Sequence, residues 1–95
     1  MSKVIDAAVA ALAVKMPNGF DGLAKFVILD EGAIMLDATG VRAGDDAADV
    51  TMTASTEVFQ AILAGEMNPT MAFMSGKLSV DGNMGLAMQL GAALA

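Results

Sequence analysis

The sequence predicts a single domain over residues 1–95 of the α/β (α+β) class: a largely antiparallel sheet of about five strands, covered on one face by four or so helices. Three observations carry this. Short apolar runs with strand periodicity (AKFVILD, DVTMTA, KLSVD) alternate with stretches whose apolar residues recur at helical spacing. Glycine, proline and asparagine punctuate the boundaries between them. No internal repeat, linker or low-complexity tract interrupts the order, and a hydrophobic content of 56% supplies enough apolar surface for one core.

Ser2 to Lys15 reads as an amphipathic helix capped by Ser2, with Ile5, Val9, Leu12 and Met16 on one face and Pro17-Asn18-Gly19 ending it. Ala24 to Asp30 is a strand with apolar residues on both faces. Asp30-Glu31-Gly32 turns it into a second strand, Ala33 to Ala38, which completes a hairpin. Val41 to Ala43 makes a short third strand before the acidic loop Gly44 to Asp49. Asp49 to Ala54 alternates, with Val50, Met52 and Ala54 inward and Asp49, Thr51 and Thr53 outward.

Ser55 then caps a helix to Ala64, with Val58, Phe59, Ile62 and Leu63 on one face and Gly65 as the stop. Asn68-Pro69 opens a short helix that Gly76 ends, because asparagine caps and proline suits the first helical position. Lys77 to Asp81 is a strand with Leu78 and Val80 facing in, and Asn83 caps a last helix running toward Ala95. That helix is apolar nearly all round, Gln89 being its one polar side chain beyond the cap, and such a helix needs cover on most sides. Gly85 and Gly91 within it each cost about 1 kcal/mol relative to alanine, which fits close packing or movement there.

Composition excludes several functions. The net charge is −6 and the five basic residues are scattered, which is no footprint for nucleic acid. The acidity opposes charge-driven docking to anionic membranes and leaves only transient membrane contact open. With no cysteine or histidine, disulfides, thiolate chemistry and the commonest metal ligand are absent. No apolar run reaches the ~20 residues needed to span a bilayer, and Asp6 interrupts the run that imitates a signal peptide, so a cytoplasmic location is expected. Asp45, Asp46 and Asp49 lack the spacing of a calcium loop and read as a solvated turn. Serines without a base partner and the lack of paired carboxylates on one element give no catalytic constellation. The chain is therefore expected to be non-enzymatic, with no cofactor and no metal.

Met67 to Ala92 is the most distinctive stretch and holds five of the nine methionines: Met67, Met71, Met74, Met84 and Met88. Methionine fills irregular apolar space and adapts to what it touches, so two neighbouring methionine-rich helices serve either as core or as the walls of a pocket. The ordered motifs Gly65, Met67-Asn68-Pro69, Ala72-Phe73, Gly76-Lys77-Leu78 and Gly82-Asn83-Met84 resemble the sterol-carrier-protein-2-like family of lipid-binding domains. The resemblance is specific from Asp49 to Leu90; toward the N-terminus it lies mainly in the order of elements.

It implies a five-stranded sheet and helices enclosing an apolar tunnel, and a non-catalytic protein that binds, and in some members transfers, fatty acyl chains, sterol-like or isoprenoid lipids. With it, Phe59, Ile62, Leu63, Met67, Met71, Met74, Met84, Met88 and Leu90 become the candidate lipid-binding residues, and Gln89 or Ser75 the polar group orienting a head. Acyl-CoA would need cations at the mouth, for which only Lys77 and Arg42 are placed. The alternative is an accessory module that supports a lipid-metabolising enzyme or self-associates through the last helix. The expected partner is thus a long apolar small molecule, bound by a monomer or homodimer.

Overall fold

The computed structural model describes residues 3–94 and contains four helices and five strands in the order α1 (Lys3–Lys15), β1 (Ala24–Ile28), β2 (Gly32–Asp37), β3 (Gly40–Ala43), β4 (Val50–Ala54), α2 (Thr56–Leu63), α3 (Pro69–Met74), β5 (Leu78–Gly82) and α4 (Met84–Leu94). Every expected element is present, with ends shifted by a residue or two. The expected Ser2 cap lies outside the described residues.

The strands form one sheet in the order β3-β2-β1-β4-β5. β1–β2, β2–β3 and β4–β5 pair antiparallel, whereas β1 and β4 run parallel from Ala24↔Val50 to Ile28↔Ala54. Alternation then fixes what faces what. Ala24, Phe26, Ile28, Ile34, Leu36, Val50, Met52, Ala54 and Leu78 point to one side and form a single buried cluster with Ile5 and Leu12 of α1, Phe59 and Ile62 of α2, Ala72 of α3, and Ala87, Leu90 and Leu94 of α4. All four helices therefore cover the same face. At the centre the Phe26 and Phe59 rings lie 5.0 Å apart and tilted by 57°, a favoured aromatic arrangement.

The opposite face is covered differently. Met35 points away from the helices yet is 0% exposed. The acidic loop 44–49 crosses over it: the Gly44 N–H donates to the Ala33 carbonyl (3.1 Å), a Cβ on Gly44 would lie 3.1 Å from Met35 Cγ, and Lys25 Nζ pairs with Asp45 Oδ1 at 2.8 Å. One consequence is that the parallel β4 can reach β1 without passing through the helix layer.

Local chemistry sets the helix ends. Val58 N–H donates to Ser55 Oγ (3.2 Å), and Thr70 and Met71 N–H donate to Asn68 Oδ1 (2.8 and 3.3 Å). Asn83 Oδ1 accepts from Leu86 N–H at 3.0 Å. The sharp entry into α4 needs Gly82, whose φ is +102° and where any Cβ would collide with the Asp49 carbonyl oxygen. At the far end Lys15 Nζ donates to the Leu94 carbonyl (3.1 Å), so a cation from the end of α1 meets the negative end of α4.

Candidate functional site

α3 is too short to bury a wide stripe, and it turns its small residues inward. Pro69 and Ala72 are buried, while Met71 and Met74 are 64% and 75% exposed and Phe73 is largely exposed. α4 behaves similarly: Ala87, Leu90 and Leu94 bury the i, i+3, i+7 line, while Met84 and Met88 stand out, the latter 75% exposed. Where the two helices approach, the nearest atom to a Cβ built on Gly91 is Pro69 Cβ, at 3.9 Å. Small residues facing one another leave space between the helices that the strands beneath do not fill.

That space is an open cleft of about 440 Å³. Met52, Leu78 and Val80 form its floor; Pro69, Thr70, Phe73 and Met74 form one wall, and Met84, Ala87, Met88, Gly91 and Ala92 the other. Its volume falls within the about 300–1,000 Å³ of small-molecule sites, and its lining is apolar with one side-chain hydroxyl, that of Thr70. No lining side chain is charged. In place of the expected enclosed tunnel, the described residues form an open cleft.

Of the nine candidate residues, the structure gathers Met74, Met84 and Met88 in this cleft. Ile62 and Leu90 are in the central core, and Met67 packs against it. Met71 is exposed outside the lining. Phe59, itself a core residue, and Leu63 also border a second groove of about 310 Å³, between α1 and α2, with Val4, Ala7, Ala8, Ala11, Gln60 and Ala64. Gln89 and Ser75 are exposed and outside the cleft; the Ser75 hydroxyl donates back to the Ala72 carbonyl (3.2 Å). The floor residues carried no separate signal, since Met52, Leu78 and Val80 read as ordinary inward strand positions.

Among the described residues, the one displaced acidity lies outside the cleft lining. Asp37, at the β2–β3 turn, is held down to about 2 by the Thr39 hydroxyl, then by the Arg42 guanidinium 2.7 Å from Oδ2, and by the Thr39 N–H. It braces a hairpin. Among the described residues no cluster of acidic side chains is placed to hold a metal, and no helix is long and apolar enough to cross a membrane.

The fold has close counterparts. The sterol carrier protein 2 of Aedes aegypti, solved in complex with the C16 fatty acid palmitate, superposes with a TM-score of 0.78 at 24% identity, covering 100% of this chain and 97% of that one. The sterol carrier protein domain 2 of Helicoverpa armigera gives a TM-score of 0.69 at 27% identity, over 97% of this chain and 83% of that one. In sequence, hydroxysteroid dehydrogenase-like protein 2 of Xenopus laevis is 40% identical over 96 residues, which covers 93% of this chain and 22% of that protein. The chain therefore spans only about a fifth of that relative's length. With the model of the SCP-2 sterol transfer family matching residues 2–95, the chain belongs to that family.

Proposed function

We propose that this chain is a non-catalytic binding module that takes the hydrocarbon part of a long apolar molecule into the α3–α4–β5 cleft. The lining carries the reading: twelve residues with no charge and one hydroxyl around about 440 Å³ offer burial and almost nothing else. Each methylene taken from water there contributes about 0.8 kcal/mol, from which the costs of immobilising the ligand are subtracted. Methionines at both rims adapt to chains of different shape, which favours broad selectivity. The palmitate held by the Aedes aegypti protein supports a fatty acyl chain as one occupant.

The test is titration of the delipidated chain with a neutral fluorescent lipid probe, beside Gly91→Leu, whose side chain would enter the space next to Pro69. Saturable binding by the native chain and at least tenfold weaker binding by the variant, with its fold intact, is expected. Absence of saturable binding by the native chain, or equal affinity in both, would overturn the assignment.

A second reading is favoured by the exposed Met74 and Met88 of the cleft walls, with Met71 exposed elsewhere on α3: an accessory domain that docks on an enzyme of lipid metabolism or on its own copy. The dehydrogenase-like relative, of which this chain matches about a fifth, is consistent with such a context. Light scattering at two concentrations, with and without bound lipid, separates the two readings. A monomer that still binds lipid supports the first.

A further inference from the structure

The cleft offers no cation to an anion. None of its lining residues is charged, and its one hydroxyl is that of Thr70. Three of the five basic side chains of this chain are engaged elsewhere: Lys15 Nζ donates to the Leu94 carbonyl, Lys25 pairs with Asp45 and Arg42 with Asp37. Lys3 and Lys77 are exposed and lie outside the lining. The chain as a whole carries a net charge of −6.

We propose that the cleft selects lipids whose polar end is uncharged, such as long-chain alcohols, ketones or esters, over carboxylates and phosphate-bearing acyl carriers; this rests on the cleft being the binding site. A hydroxyl or carbonyl at the mouth is satisfied by water or by Thr70 Oγ1. A carboxylate there finds no cation, only the same Thr70 hydroxyl, and sits in the repulsive field of the whole domain. The molecule extends 29 × 28 × 22 Å. Six net charges on a body of that size weaken binding of a unit anion at its surface roughly two- to threefold at 0.15 M salt and roughly fivefold at 0.01 M. The sign is the signature. Added salt strengthens an anionic ligand held without a cation and weakens one held by a lysine.

The test uses the full delipidated chain loaded with a neutral fluorescent hydrocarbon probe. The probe is displaced by 1-dodecanol or by dodecanoate, below their aggregation concentrations, at pH 8 in 10 and 150 mM salt. Dodecanol should displace at the lower concentration and respond little to salt. Dodecanoate should improve about twofold as salt rises. Ala92→Lys, which supplies a cation at the rim, should raise dodecanoate affinity relative to dodecanol and reverse its salt response. Dodecanoate binding as tightly as dodecanol, weakened by salt and lost in Lys77→Gln, would overturn the selectivity while leaving the cleft as the site. Failure of the probe itself to bind saturably would instead overturn the assignment of the cleft, and the selectivity with it.

Discussion

Two glycines of α4 make a matched pair whose substitution by alanine should have different results. Gly91→Ala removes a helix-interior glycine, worth up to about 1 kcal/mol of stability. Its new methyl would meet Pro69 Cβ at 3.9 Å, an ordinary contact that needs no adjustment. For a domain of 95 residues, 1 kcal/mol corresponds to a rise in Tm of about 4–8 °C. Gly85→Ala gains the same propensity, but its Cβ would sit 3.2 Å from Asn83 Oδ1, the acceptor that caps the helix at Leu86 N–H. Displacing that cap costs about 1 kcal/mol, so the two effects offset and Tm should scarcely move. Thermal unfolding of both variants, delipidated and followed by circular dichroism, is the assay, since retained ligand would raise Tm by mass action. A Gly91→Ala variant less stable than native would refute the reasoning, because α3 would then have to approach α4 more closely than Pro69 does.

Met35→Ala should cost about 2–5 kcal/mol in urea unfolding, as for other fully buried methionines; a loss below 1 kcal/mol would mean that loop 44–49 does not seal the back of the sheet. Asp37 should titrate near pH 2 by carboxyl-carbon NMR, and Thr39→Ala should move its midpoint up toward 3.8. Because folding lowers this pKa, the stability it contributes is complete above about pH 4 and disappears as pH falls through about 2. A native midpoint near 3.8 would show that the Thr39 and Arg42 contacts do not persist in solution.

The order and kind of the elements were legible because each is locally consistent: DVTMTA alternates cleanly, and Ser55, Asn68 and Asn83 cap the helices they were expected to cap. The partner of β4 was not legible. Alternation determines which face of Val50–Ala54 is buried, but not that the strand runs parallel to β1 rather than antiparallel to β3. The cleft was legible in its address and only partly in its residues. Methionine content pointed to α3 and α4, but Met71 turned out, because Pro69 and Ala72 take the inward side of a helix too short for a periodic signal. Phe59, Ile62 and Leu90, the most conventionally apolar candidates, were drawn into the interior.

Every cleft residue comes from Met52–Ala92; the first three strands and α1 contribute none. The meander β1–β3 is built from neighbours in sequence, whereas β4 reaches β1 only after the chain has travelled from Ile28 to Val50. Contacts across longer loops carry a larger entropic cost, so closing the β1–β4 ladder costs more chain entropy than forming the meander. The same separation divides the labour of substitution. Changes to the hydrocarbon-contacting walls bear on α3, α4 and β5, and leave the register of the meander untouched. A framework and a chamber thus share one short chain, joined by the parallel β1–β4 ladder and by the common core beneath the helices.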